Sequence, residues 1–234
     1  MSYESMAEFH DLFMTGVWAR LGPTVHATFA GLGSDDVVVD IGAGTGLGTV
    51  TVARATPARI WAVEPSATMR AVLLHRLADV PDLAVRVSVL AGAAPAALVE
   101  LPRPVAGVFA THMVGHFSAS QRSTFFGWLS AHLTNDGVAL LTHQSSELGE
   151  DHAADEIVES IRIGDHLYRA TYRGTDSQFR TIYDVLDVSG RVLRSLEARG
   201  PWAVLTLDHL RAEAATHGLR CQAGDIDGVC VVGR

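Results

Sequence analysis

Val37-Val38-Val39-Asp40-Ile41-Gly42-Ala43-Gly44-Thr45-Gly46 is the stretch on which the reading of this chain turns. Three β-branched residues run into an acid and then into glycines at alternate positions, which predicts a buried strand followed by a tight turn. Glycines there let the backbone pass close to a ligand where a Cβ would collide. The helix that follows starts with its free amides aimed at the same place. A dinucleotide fingerprint needs a third glycine five residues after the first, but Leu47 (counting from Gly42) and Thr49 (counting from Gly44) stand there. A triphosphate-gripping loop needs a lysine, and this stretch has none. Glu64 closes the next apolar run 22 residues after Gly42, a spacing that suits a carboxylate accepting from both hydroxyls of a ribose.

Outward from this turn, short apolar runs alternate with helical patterns. Val37–Val39, Ile60–Val63, Val85–Leu90, Val105–Ala110 and Val138–Leu141 are continuous rather than alternating, as in strands covered on both faces. Helices are expected at about 49–55, 66–79, 94–99 and 118–133, with Ser66 and Ser118 as N-caps. The alternation predicts an α/β, doubly wound parallel sheet whose ligands gather at the carboxyl ends of the strands. Upstream, Met6, Phe9, His10, Phe13, Met14 and Val17 share one face of a helix, either packed on the core or forming a lid. Pro23 is expected to start a second helix, which Gly31 or Gly33 ends.

After His143 the pattern changes. A polar helix is expected over Glu150–Ser160, then three strands at about 166–173, 178–187 and 191–199, the last two joined by a Ser189-Gly190 turn. Leu207–His217 reads as a helix closed by Gly218, and Val229–Val232 as a strand returning to the sheet. One domain results: residues 1–33 as N-terminal helices and lid, 34–145 as the ligand-binding core, 146–206 as helix and antiparallel flap, and 207–234 as C-terminal helix and last strands.

At 234 residues and 48% hydrophobic content the chain can bury a core of enzyme size. No apolar run reaches the roughly 18 residues of a membrane span, and the first residues lack a signal-peptide pattern, so a cytoplasmic protein without membrane contact is expected. Its net charge of -8, without a basic block, argues against nucleic acid as a partner. Cys221 and Cys230 form no CxxC pair, and no metal is expected.

The run Val37–Gly46 resembles the glycine motif of the class I S-adenosylmethionine-dependent methyltransferases, and Val63-Glu64-Pro65-Ser66-Ala67-Thr68-Met69 resembles that family's second motif. The likeness continues more loosely through Ala91-Gly92, Phe109-Ala110-Thr111-His112 and Leu133–Gly137, where the family turns before its fifth strand. It implies a Rossmann-like seven-stranded sheet with an antiparallel last strand and S-adenosylmethionine as cofactor. It places Glu64 and Pro65 at the ribose, Met69 at the adenine, and Gly42, Ala43, Gly44 and Gly46 beside the methionine portion. Asp40 orients that loop or faces the cofactor's amino group, and Gly92, Ala93 and Thr111 complete the set. The family often carries an acid for the adenine amino group where this chain reads Ala91-Gly92-Ala93-Ala94, which leaves that group to backbone and packing.

The chemistry so implied is methyl transfer to a small-molecule acceptor, in which alignment in a dry pocket supplies much of the acceleration. His112 and His143 follow the fourth and fifth strands and are the candidate bases, which favours oxygen over nitrogen or carbon as acceptor atom. His116 follows His112 by four residues, but Gly115 lies between them and His116 is read as structural. After the fourth strand the sequence Ala110-Thr111-His112-Met113 lacks the Pro-Pro-aromatic pattern of DNA amino-methyltransferases. Tyr168, Tyr172, Phe179 and Tyr183 line an acceptor pocket or simply pack. The alternative is a protein of this fold that binds S-adenosylmethionine without transferring its methyl. A monomer and a homodimer are both compatible with the sequence.

Overall fold

Buried strands with helices on both faces make up the larger part of the computed structural model, which describes residues 3–143, 156–174 and 177–234. In chain order the elements are α1 (Ala7–Phe29), β1 (Val37–Ile41), α2 (Leu47–Ala55), β2 (Arg59–Val63), α3 (Ala67–Ala78), α4 (Pro81–Ala84), β3 (Val87–Leu90), β4 (Val105–Ala110), α5 (Ala119–His132) and β5 (Leu133–Thr142). There follow β6 (Ile157–Ile163), β7 (His166–Gly174), β8 (Gln178–Leu186), β9 (Val192–Pro201), α6 (Leu207–Ala215), β10 (Arg220–Ala223) and β11 (Val229–Gly233). Seven strands form one sheet in the order β10-β11-β5-β4-β1-β2-β3. β1 pairs in parallel with β2 and β4, and β11 is antiparallel to β5, as the resemblance implies.

Every residue of β1 and β4 is buried, which is why both read as unbroken apolar runs. Phe125, Phe126 and Leu129 of α5 pack with Leu210 of α6 in one core cluster. Val25 and Phe29 of α1 pack with Val52 and Leu73 in another. Ser66 caps α3 by accepting the Met69 amide, and Ser118 with Gln121 forms a capping box on α5.

Several boundaries differ from expectation. α1 is one helix that runs through Pro23 rather than two. Leu21, Thr24, Val25 and Phe29 are buried on both sides of the proline, and that burial outweighs the missing amide hydrogen bond. β3 begins at Val87, because Val85 and Arg86 finish the turn after α4. β5 already begins at Leu133, so the segment expected as a turn is strand, with a register irregularity opposite Val105–Gly107.

β6, β7, β8 and β9 make a second sheet, antiparallel throughout. The polar helix expected over Glu150–Ser160 is not there in its described part. Residues 157–160 belong to β6, and 150–155 lie outside the described residues. Ile157, Val158, Ile161 and Ile163 are β-branched and favour an extended chain, and Gly164-Asp165 turns it back onto β7. The Ser189-Gly190 turn forms as expected: Asp187 accepts the Ser189 and Arg191 amides, and Gly190 takes φ +84°. A third apolar cluster of Met6, Phe9, Met69, Tyr183, Val185 and Ala198 joins this sheet to the starts of α1 and α3.

Candidate active site

The carboxyl ends of β1, β2 and β4 open into a cavity of about 260 Å³, closed on one side by α1. Gly42, Gly44 and Gly46 all have positive φ, at +74°, +55° and +88°. Gly42 and Gly44 line the cavity with Ala43, whereas Gly46 lies behind it, where a Cβ would collide with Leu73 of α3. Glycine at 46 therefore serves the packing of the turn rather than ligand approach.

Glu64, at the end of β2, is buried and lines the cavity. One carboxylate oxygen accepts the Gly44 amide at 2.9 Å and the other the Ser66 amide at 2.8 Å, which ties the glycine turn to the start of α3. Burial raises its pKa against the opposing pull of those two amides. Asp40 accepts the Thr49 hydroxyl at 2.5 Å. Burial drives its pKa up to about 7, the Thr49 bond opposing and the Glu64 charge adding. The Arg70 charge also acts on Glu64, but its guanidinium hydrogen-bonds the carbonyl oxygens of Glu64 and Pro65. Two buried acids facing one cavity, neither with a cationic side chain hydrogen-bonded to its carboxylate, form a site that a positively charged ligand stabilises.

Pro65, Met69, Ala93 and Thr111 also line this cavity. Gly92 does not: a Cβ on it would lie 2.6 Å from the Ala97 methyl, so its role is the close approach of the short helix Ala96–Glu100. His112 lines the cavity in a left-handed conformation, φ +53°, with its amide donating to the Thr142 hydroxyl at 2.7 Å. The residue as a whole keeps exposed surface, but the protein packed around its ring desolvates the imidazole and, with His10 and Arg20 adding, lowers its pKa to about 4.

His143, the other candidate base, stands outside the cavity lining, with its amide donating to the Gly228 carbonyl. His116 lines the cavity and also holds β9: its Nδ1 donates to the Pro201 carbonyl at 3.0 Å, and its ring lies edge-on to Trp202. The four flap aromatics pack instead of lining the cavity. Tyr183 stacks on Phe9 at 4.8 Å, Tyr168 tilts against Phe9, Phe179 meets His116 edge-on, and the Tyr172 hydroxyl donates to Glu159.

Of the α1 contribution, sequence reasoning had His10 and Met14 on the face read as core or lid without giving either a site role, and it missed Trp18. His10, Met14 and Trp18, four residues apart, face the cavity, while Phe9 and Phe13 turn to the second sheet. The i, i+4, i+8 spacing was the available signal. Met113 and Gln121 are further lining residues that no motif marked. Among the described residues no group of three or more His, Cys, Asp or Glu side chains is placed to hold a metal ion. No helix among them is long and apolar enough to cross a membrane.

Residues 38–137 match the family described as methyltransferase domain. Over that stretch, a little under half of its length, the chain is similar to a methyltransferase domain. The fold of the whole chain is shared with solved structures of low identity. DesVI of Streptomyces venezuelae is 16% identical with TM-score 0.73, over 97% of this chain and 98% of that one. CalS10 of Micromonospora echinaspora, described as an amino pentose methyltransferase involved in calicheamicin biosynthesis, is 19% identical with TM-score 0.68, over 100% and 92%. KedS8 of Streptoalloteichus sp, described as a sugar N-methyltransferase, is 15% identical with TM-score 0.68, over 100% and 93%. None of the curated proteins matches this sequence. S-adenosylmethionine, the cofactor that the sequence resemblance implies, fits the site: Asp40 and Glu64 are acids of the right sign for a ligand bearing a sulfonium and an ammonium.

Proposed function

We propose that this chain is an S-adenosylmethionine-dependent methyltransferase that acts on a small molecule through a nitrogen atom, as in an amino sugar or another amine-bearing metabolite. The observation that carries the reading is the cavity in which the buried Asp40–Glu64 pair faces α1. Bound there, the cofactor supplies an electrophilic methyl on a positively charged sulfur. Glu64 would hold the ribose hydroxyls, each carboxylate oxygen keeping a lone pair beyond its amide contact. Gly42, Ala43 and Gly44 present backbone to the methionine portion, Asp40 faces its ammonium, and Met69, Pro65, Ala93 and Thr111 enclose the rest by packing. Gly46 and Gly92 shape the site from behind.

Nitrogen is preferred for a chemical reason. A hydroxyl holds its proton far more tightly than an ammonium ion does, so an imidazole able to free an amine's lone pair is too weak a base to ionise an alcohol, and of the two histidines expected to take a proton only His112 lines the cavity, with its pKa lowered to about 4. An amine that has shed its ammonium proton attacks without further ionisation. The description of KedS8, which shares the fold, as a sugar N-methyltransferase points the same way.

The test is incubation with methyl-labelled S-adenosylmethionine and paired panels of small amines, amino sugars included, and their hydroxyl counterparts, with fragmentation mass spectrometry to locate the label. Label on nitrogen is expected. Label confined to hydroxyl oxygens overturns the choice of atom, and no S-adenosylhomocysteine from any acceptor overturns the transfer reading itself.

A further inference from the structure

His10, on α1, is placed by a network drawn from three separate parts of the chain. Its Nδ1 lies 3.1 Å from Asp11 Oδ1 and 3.2 Å from Thr45 Oγ1. Thr45 donates its own hydroxyl to Asp11, so its oxygen is an acceptor toward His10. Both neighbours of Nδ1 are thus acceptors, which assigns the proton to Nδ1 and leaves the Nε2 lone pair bare. Arg76 of α3 pairs with the second Asp11 oxygen and donates to the Thr45 carbonyl at 3.1 Å, which anchors the acid. Burial pushes the Asp11 carboxyl up, but the hydrogen bonds from His10 and Thr45 and the Arg76 charge outweigh it and hold it below the usual carboxylate range.

The other edge of the ring is turned to the site. His10 lines the cavity, and its Cε1 and Nε2 lie 3.8 Å from where a Gly44 Cβ would stand. The charged or titratable groups around it are Asp11 on its own helix, Arg76 from α3, Glu64 at the end of β2 and His112 beyond β4. A carboxylate on one imidazole nitrogen with the other open to a reaction cavity is the arrangement of a general base whose tautomer is set by its partner.

We propose that His10 Nε2 is the proton acceptor of this methyltransferase and that Asp11, fixed by Arg76 and Thr45, is its positioning residue. The proposal rests on the methyl-transfer reading and adds the base that His112 and His143 do not provide. An aliphatic amine arrives as an ammonium ion and must shed one proton before its lone pair is free. Nε2 takes that proton, and Asp11 stabilises the imidazolium formed. The nitrogen lone pair then forms the bond to the methyl carbon as the carbon–sulfur bond breaks, its electron pair remaining on sulfur and cancelling the sulfonium charge. The charge is now on the methylated ammonium product, and the imidazolium returns its proton to solvent.

Two measurements decide this, and the first needs no acceptor. In a long-range proton–nitrogen spectrum of the free protein, His10 is expected with Nδ1 protonated and Nε2 bare. Asp11→Asn should disturb that pattern, and added S-adenosylhomocysteine should move the His10 signals. A protonated Nε2 with bare Nδ1, or signals indifferent to S-adenosylhomocysteine, overturns the proposal. The second is turnover of the amine that accepts label in the panel: His10→Gln should lower kcat by roughly 100-fold. The dissociation constant for S-adenosylhomocysteine should stay within about 2-fold, and the fall in wild-type kcat on acidification should flatten. Weakened S-adenosylhomocysteine binding with kcat unchanged would make His10 a cofactor contact instead. An acid limb that survives His10→Gln and disappears in His112→Gln would pass the role to His112. If the wild type turns over no amine, the nitrogen reading fails by itself, and the tautomer spectrum alone decides whether the His10–Asp11 pair is set as a base.

Discussion

The two sheets of this chain solve the same problem in opposite ways. The seven-stranded sheet is covered on both faces, and β1 and β4 contain no exposed residue. The four-stranded sheet gives one face to α1 and carries the ion pairs Arg169–Asp184 and Arg180–Glu197 on the other, and every residue of its edge strand β6 is exposed. The buried sheet can hold carboxylates at its carboxyl edge in a low-dielectric setting, which is where perturbed groups and chemistry collect. Among the described residues the exposed sheet contributes none to the cavity lining; it holds α1 through Phe9 stacked on Tyr183 and through Glu8 paired with Arg194. Its work is to keep His10, Met14 and Trp18 over the site.

The sharpest way to break the contrast is to remove mass from the buried sheet. Phe109→Ala empties a fully buried position between Trp18 and Phe29 and is expected to cost about 3–5 kcal/mol, read from a urea unfolding midpoint. Next comes the carboxyl edge. Glu64→Ala should weaken S-adenosylhomocysteine binding about 10- to 100-fold in titration calorimetry, the worth of a hydrogen bond to a charged group at about 1.5–3 kcal/mol, and unchanged affinity removes Glu64 from the site.

A smaller effect belongs to Asp40, whose pKa rises from 3.8 to about 7 on folding. Between those values the folded chain keeps a proton that the unfolded chain releases, so this group's contribution to stability falls as pH rises. Asp40→Asn should flatten that slope in unfolding curves taken from pH 4 to 7, and an undiminished slope would assign it to other groups. A cation bound beside Asp40 should expel the same proton, seen as a buffer-dependent binding heat near pH 7. The smallest effect is expected on the outer flap face. Arg180→Gln breaks a solvent-exposed ion pair with Glu197, and neither the unfolding midpoint nor S-adenosylhomocysteine affinity should move beyond measurement error.

How much of this was legible in the residues follows the same contrast. β1, β2 and β4 were readable because strands covered on both faces are apolar throughout. β10 was not, being four residues long with only Cys221 buried, nor was β6, whose exposed alternation of Ile and polar residues passed for a polar helix although Gly164-Asp165 marked its turn. At the site, Asp40 and Glu64 were legible from their spacing to the glycines. For His143, following a strand does not say which way the side chain leaves it, and it is not among the residues that line the cavity.

What the chain's order of residues determined alone is what depends on near neighbours and on the solvent: the left-handed glycines of the turn, the Ser66 and Ser118 caps, the apolar runs that must be buried. Those terms act within a few residues, so a local reading contains them. What only the tertiary structure decided is which charges meet. Asp11, Thr45 and Arg76 are separated by up to 65 residues, and His10 becomes a directed imidazole only where α1, the glycine turn and α3 come together. Electrostatic and hydrogen-bond energies depend on distances of a few ångströms and on the exclusion of water, and packing sets both.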